Sequence, residues 1–290
     1  MIRLDAATVL LQWAVGGMFF CWFTTRRREV SLGYGWLLRG TYGVFAVAAF
    51  VVALLVDTNP VRDVAALTMA AACFVIFGVS FVQRKAGVRG QLAEHDRRTA
   101  RVAAMTGIQR TGQAGADAGE PVTARREFEP ALDLVPVAIG TVGLVAASFD
   151  TGGPVPLALL RTLVSAAFLG VITDAMLLGH WYLTQPGLPR RLLHEMVDAV
   201  GYVWPIQVIA LLIPTGMVSV WTGAVDDGWG GVLGWFWAAC AVATIILVFV
   251  AKAALREREY SAVMAATGLL YLAILTGFGT DLVARAVLSG

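Results

Sequence analysis

Two carboxylates lie on either side of one proline-rich turn in an otherwise apolar part of the chain. The turn contains Pro186, Gly187 and Pro189, which cannot continue a helix, so we expect two antiparallel helices to flank it. Asp174 lies twelve residues before Pro186 and Asp198 twelve residues after it, which predicts that they reach a similar depth. If they face each other, repulsion and desolvation would make the pair share one proton, as a proton relay requires.

Two histidines and a tyrosine extend this candidate site. His194, Asp198 and Tyr202 recur at every fourth residue and therefore share one helix face. Together with Asp174 they are the candidates for a proton or substrate site. His180 and His194 flank the turn closely, so they are candidates for haem b ligation or for hydrogen bonding to a quinone, provided that both imidazoles point to one cavity.

Familiar catalytic and metal-binding motifs are missing from the sequence. The segment from His194 to Asp198, HEMVD, resembles the HExxH motif of zinc proteases, but an aspartate replaces the second histidine ligand. No phosphate-binding loop, dinucleotide fingerprint or GxSxG motif is present. Cys21, Cys73 and Cys240 are too far apart for a zinc pattern, so we predict no metal site. A basic groove with stacking aromatic residues is also missing, which argues against nucleic acid as a partner.

The elements that must position these residues are apolar helices. The chain of 290 residues is 58% hydrophobic and only 14% charged, whereas soluble proteins are about 25% charged. Eight segments are long and apolar enough to cross a bilayer. These segments are residues 4–23, 36–56, 62–83, 132–149, 156–183, 191–213, 230–251 and 260–282. The predicted fold is an all-α, polytopic integral membrane protein, a bundle of eight transmembrane helices.

The distribution of positive charge predicts the orientation of this bundle. Of the 22 lysines and arginines, 18 lie in or beside the connections that follow the first, third, fifth and seventh segments. Because such connections resist translocation, we expect both termini to lie outside, in a bacterial plasma (inner) membrane. The chain then divides into residues 1–83 with helices 1–3, a basic and partly disordered cytoplasmic loop at residues 84–130, and residues 131–290 with helices 4–8.

Three classes of function fit these features. The first is a proton- or redox-linked membrane subunit, with its polar site between helices 5 and 6 near the cytoplasmic side. The second is a proton-coupled transporter of small solutes, although no sequence repeat relates the two halves of the chain. The third is a scaffold or assembly protein without catalytic chemistry. Membrane lipid is the expected partner in each class, and other membrane subunits are a further candidate; enzymatic activity stays open.

Overall fold

The structure is a computed structural model that describes residues 4–86, 127–151, 153–185, 188–257 and 259–289. In these ranges all the regular secondary structure is helical, and there is no strand. The eight long helices are α1 (Ala6–Thr25), α2 (Leu32–Leu55), α3 (Pro60–Val82), α4 (Leu134–Phe149), α5 (Val155–Thr184), α6 (Arg191–Leu212), α7 (Val232–Ala254) and α8 (Tyr260–Leu288). When the 3₁₀ turn Pro130–Asp133 is counted as part of α4, all eight helices are long and apolar enough to cross a membrane. The structure therefore confirms the expected number of candidate spans.

The last helix differs most from the prediction. Its apolar pattern ends near residue 282, but α8 continues to Leu288. The extension is stabilised by Arg285, whose Nε donates a hydrogen bond of 2.6 Å to Asp281 one turn earlier. Both side chains are buried, so an ion pair one helical turn apart allows the helix to continue through what resembles a polar terminus.

The basic loop is described only at its two ends. A short 3₁₀ helix, Gln83–Ala86, follows α3, and the chain is described again from Glu127. Phe128 is buried and its ring lies 4.3 Å below the guanidinium of Arg39 on α2. Most of the loop that was predicted to be partly disordered, residues 87–126, lies outside the described residues.

The eight helices form two rings of four. In the first ring α1, α2, α3 and α4 each pack against the next helix, and α4 packs back on α1; in the second ring α5, α6, α7 and α8 repeat this order. The rings meet mainly through their first helices, α1 and α5, with a smaller contact between α4 and α5. The halves therefore share an arrangement of helices although their sequences show no repeat.

Glycine makes the contact between the rings close. Gly16 on α1 and Gly170 on α5 face each other without side chains between them. A Cβ added to Gly16 would lie 1.7 Å from the carbonyl oxygen of Ala166, and one added to Gly170 would lie 2.1 Å from the backbone of Gly16. Because small residues allow helix backbones to approach in this way, the two rings touch backbone to backbone at this crossing.

Candidate functional site

Among the described residues, the most deeply buried acidic group that lacks an ion pair lies where the two rings meet. Asp174 on α5 has no exposed surface, and its Oδ1 accepts a hydrogen bond from the hydroxyl of Tyr42 on α2. Tyr42 reaches Asp174 past α1, at Gly17, where an added Cβ would lie only 1.9 Å from Cζ of the tyrosine ring. The adjacent glycines of α1 therefore have different roles. Gly16 allows α5 to pack closely on α1, and Gly17 leaves room for the ring of Tyr42. We call Asp174, Tyr42 and Gly17 the Asp174 site.

One oxygen of Asp174 is left without a partner. Within the described residues, Oδ2 accepts no hydrogen bond and no cation pairs with the carboxyl. Beside the site, Trp13 on α1 donates a hydrogen bond of 2.9 Å to the hydroxyl of Thr173, the residue before Asp174. A carboxyl that has one donor and no counter-ion in an apolar interior is accommodated best in its neutral form. This arrangement can hold and release a proton.

The structure does not bring Asp174 and Asp198 together. Asp174 faces α1 and α2, whereas Asp198 on α6 forms an ion pair with Lys252 near the end of α7. The equal distance of the two aspartates from the turn did not determine the faces on which they lie. Tyr202, on the same helix, is 73% exposed on the outer surface of the bundle. The predicted pair with a shared proton is therefore replaced by two separate carboxylates.

The two histidines also have separate partners. Nδ1 of His180 lies 3.2 Å from the hydroxyl of Tyr271 on α8, at the exposed surface of the bundle. Nε2 of His194 lies 3.1 Å from the carbonyl oxygen of Leu255, after the end of α7. Their flanking positions placed both near one end of the bundle, but each imidazole uses a ring nitrogen in a different local contact. The structure therefore does not bring them together as a pair of haem ligands.

The second ring contains another buried polar cluster, which was not predicted from the sequence. Oδ1 of Asp281 on α8 accepts hydrogen bonds from Ser165 on α5 at 2.7 Å and from Gln207 on α6 at 2.9 Å. Its Oδ2 accepts from Arg285 at 2.6 Å, and all four side chains are buried. The spacing of Asp281 and Arg285 by four residues in an apolar helix was the available signal. Because this carboxylate is paired with a guanidinium, the cluster is suited to joining three helices.

The first ring contains a buried ion pair of its own. Arg39 on α2 donates two hydrogen bonds of 2.7 Å, from Nε and one Nη, to the two oxygens of Asp133 before α4. The other Nη lies 3.3 Å from the hydroxyl of Ser80 on α3. Arg39 and Asp133 are 1% and 0% exposed, so the charges are fully desolvated and satisfy each other. No local pattern predicts this pairing, since the partners are 94 residues apart in the chain.

Ion pairs join the rings at one end of the bundle, where α1 and α5 end; we call it the basic end. Glu195 on α6 pairs with Arg27 and, at 3.4 Å, with Arg26, both just after α1. Arg191, at the start of α6, pairs with Glu29 in the α1–α2 turn. Partial burial lowers the pKa of Arg26, and the charge of Glu195 opposes this shift. These ion pairs hold the connection between α1 and α2 against the start of α6.

At the opposite end a polar crevice lies between the rings. It is lined by Asp5, Arg62 and Asp150 from the first ring and by Thr162 and Arg285 from the second. The cavity has a volume of about 30 Å³, which is enough space for water. Since Arg285 also belongs to the buried cluster with Asp281, the crevice connects that cluster to the surface.

Comparisons with known proteins assign neither a family nor a function. No protein-family model, curated protein or solved structure matches the chain. Within the described ranges there is also no group of three or more histidine, cysteine, aspartate or glutamate residues that could hold a metal ion. The functional assignment therefore depends on the geometry of the buried polar groups.

Proposed function

We propose that this is a multi-pass membrane protein that couples proton binding at Asp174 to a movement of its two helical rings, as a proton-coupled carrier of small solutes does. One observation carries the proposal: a buried carboxyl of the second ring, without a counter-ion among the described residues, is hydrogen-bonded to Tyr42 of the first ring. The protonation state of Asp174 therefore acts on a contact between the rings.

The physical basis is the cost of a charge in this position. A carboxylate in the middle of a spanning helix costs about 2.5 to 3.5 kcal/mol on insertion scales. In the conformation described, neither Tyr42 nor the apolar side chains around Asp174 offset that cost with a positive charge. Loss of the proton therefore favours any conformation in which the carboxylate reaches water. A proton can shift the equilibrium only because it interacts differently with the two conformations.

The two ends of the bundle support an alternating mechanism. At the basic end the ion pairs of Arg26, Arg27 and Arg191 join the rings, whereas at the opposite end the water-sized crevice lies between them. We infer that the basic end faces the cytoplasm and that the chain lies in a bacterial plasma membrane, because arginine-rich connections resist translocation. In that orientation the described state is closed toward the cytoplasm.

The first test of the proposal is spectroscopic and needs no substrate. The infrared spectrum of the purified protein at neutral pH is expected to contain the carbonyl stretching band of a protonated carboxylic acid, and Asp174→Asn should remove it. Asp198→Asn is the matched control, since this aspartate is partly exposed and paired with Lys252. A spectrum in which Asp174→Asn leaves the protonated-acid band unchanged would contradict the proposal.

The second test measures transport. Proteoliposomes are supplied with a mixture of small solutes under an imposed pH gradient, and accumulated compounds are identified by mass spectrometry. Accumulation should depend on the gradient, should be lost in Asp174→Asn and should persist in Asp198→Asn. Tyr42→Phe removes only the donor hydroxyl and should shift the pH at which uptake is half-maximal. Uptake that is equal in wild type and Asp174→Asn would refute proton coupling at this residue.

A quinone-linked redox subunit is the second candidate function. The observation that favours it is the exposed pair of His180 and Tyr271, which offers an imidazole and a phenol at the surface of the bundle. A quinone carbonyl could accept a hydrogen bond there. Co-purification of quinone from wild type but not from His180→Ala would support this candidate.

A further inference from the structure

The connection between α6 and α7 forms a depression at the end of the bundle opposite the basic end. It lies between a short helical turn, Val218–Trp221, and the start of α7. Its volume is about 510 Å³, and Trp221, Trp235 and Asp226 line it. This volume falls within the range of about 300 to 1,000 Å³ that is typical of small-molecule sites.

One of the two adjacent aspartates, Asp227, lines the depression and also stabilises the loop. Asp227 accepts backbone hydrogen bonds from Trp229 at 2.9 Å, Gly231 at 2.8 Å and Leu233 at 2.9 Å. These donors favour the charged carboxylate, and the pKa of Asp227 is lowered chiefly by the Gly231 amide. The carboxylate of Asp227 thus holds the loop against the start of α7.

The other aspartate keeps a carboxylate oxygen free toward the depression. Oδ1 of Asp226 accepts a hydrogen bond of 2.9 Å from the Gly228 amide, whereas Oδ2 accepts none from the residues that the structure describes. The side chain is exposed. Gly230 and Gly231 line the same depression, and both adopt positive φ angles with open space where a Cβ would stand. The positive φ angles favour glycine at both positions of this wall.

Two tryptophans form the aromatic part of the wall. The rings of Trp221 and Trp235 have centroids 5.9 Å apart and an angle of 45° between their planes. Trp235 is 70% exposed and Trp221 38% exposed, so ring surface is accessible to a ligand. A cation over a tryptophan face is attracted by the ring quadrupole, and quaternary ammonium ions are recognised in this way.

We infer that this depression binds an organic ammonium ion, with the cationic group against the faces of Trp221 and Trp235 and Asp226 as the counter-ion. The site is independent of the Asp174 site. An ammonium group of this chemistry is carried both by free solutes and by phospholipid headgroups. An aromatic belt at a membrane interface would account for exposed tryptophans, but it requires neither the carboxylate nor the concave wall.

The test uses tetramethylammonium chloride as the probe and the full-length protein in detergent. Tryptophan fluorescence should change in a saturable way with tetramethylammonium and not with sodium chloride at equal ionic strength. Asp226→Asn and Trp235→Leu should each weaken binding by about fivefold or more, the factor that corresponds to about 1 kcal/mol. Asp226→Asn keeps a side-chain oxygen for the Gly228 amide, so the loop should retain its conformation.

Trp229→Leu is the matched control, because Trp229 is 70% exposed but is not among the residues that line the depression; its affinity should equal that of wild type. Repeating the titration in nanodiscs of phosphatidylglycerol and of phosphatidylcholine distinguishes the two sources. Weaker binding of the probe in phosphatidylcholine indicates a lipid headgroup, and equal binding in both indicates a free solute. The proposal is overturned if wild type shows no saturable change, or if Asp226→Asn and Trp235→Leu bind as wild type does.

Discussion

Replacing Gly17 by alanine tests the path by which Tyr42 reaches Asp174. The substitution adds one methyl group to α1 in the place that the tyrosine ring occupies, 1.9 Å from its Cζ. The ring is completely buried, so it can move only by displacing its neighbours. We therefore expect the tyrosine to be pushed away from the carboxyl and its hydrogen bond to Asp174 to be lost.

The magnitude follows from three opposing contributions. Alanine stabilises a helix over glycine by about 1 kcal/mol. Overpacking a filled interior costs about 1 to 3 kcal/mol, and the loss of a hydrogen bond costs about 0.5 to 1.5 kcal/mol more. The net expectation for Gly17→Ala is a destabilisation of about 0.5 to 3.5 kcal/mol.

Gly78→Ala is the matched control, because a Cβ on Gly78 of α3 meets nothing within 4 Å. It should keep the gain in helix propensity and raise the stability by about 0.5 to 1 kcal/mol. Thermal unfolding of the two purified variants in the same detergent measures the difference. If Gly17→Ala unfolds at the same temperature as Gly78→Ala or at a higher one, the close passage of Tyr42 over α1 is refuted.

Three further predictions concern charged groups. Asp133→Asn leaves the buried guanidinium of Arg39 without its counter-ion and should lower the free energy of unfolding by about 3 to 5 kcal/mol. The additional change Arg39→Leu should recover part of that loss in thermal unfolding, and a double variant less stable than the single one would contradict this. Lys252→Met should cost under about 1 kcal/mol in the same assay, because its pair with Asp198 is partly exposed, and a loss as large as that of Asp133→Asn would be inconsistent with the pairing described. Since backbone donors lower the pKa of Asp227, its stabilisation of the loop is present above the ordinary aspartate pKa and is lost as the pH falls through the lowered pKa. Amide exchange in the loop should therefore be slower in wild type than in Asp227→Asn at neutral pH, and the difference should vanish in acid. Equal protection of the two proteins at neutral pH would exclude this role.

The helices themselves could be predicted because their signal is local. A run of apolar residues long enough to span a bilayer identifies a helix without reference to its neighbours, and all eight predicted segments correspond to long helices. The prediction failed only where a local signal was ambiguous. Asp281 and Arg285 resemble the polar end of a span, yet they neutralise each other inside α8.

The contacts between helices could not be predicted in the same way. Asp174 was recognised as a candidate because a charge in an apolar run is costly, but its partner Tyr42 lies 132 residues away in the chain. Asp198 has the same residue type and the same distance from the turn, and yet it faces α7. Depth follows from counting residues along one helix, whereas the partner of a side chain depends on the rotation of that helix against the others.

The crossing of Gly16 and Gly170 has a consequence for biogenesis. During synthesis α1 leaves the ribosome long before α5 exists, so its bare glycine surface lacks its packing partner until more than half of the chain has been translated. The first four helices can close their own ring in that interval, and the arrival of α5 then completes the molecule. A nascent chain that stops before α5 would thus leave the glycine surface of α1 without its partner helix.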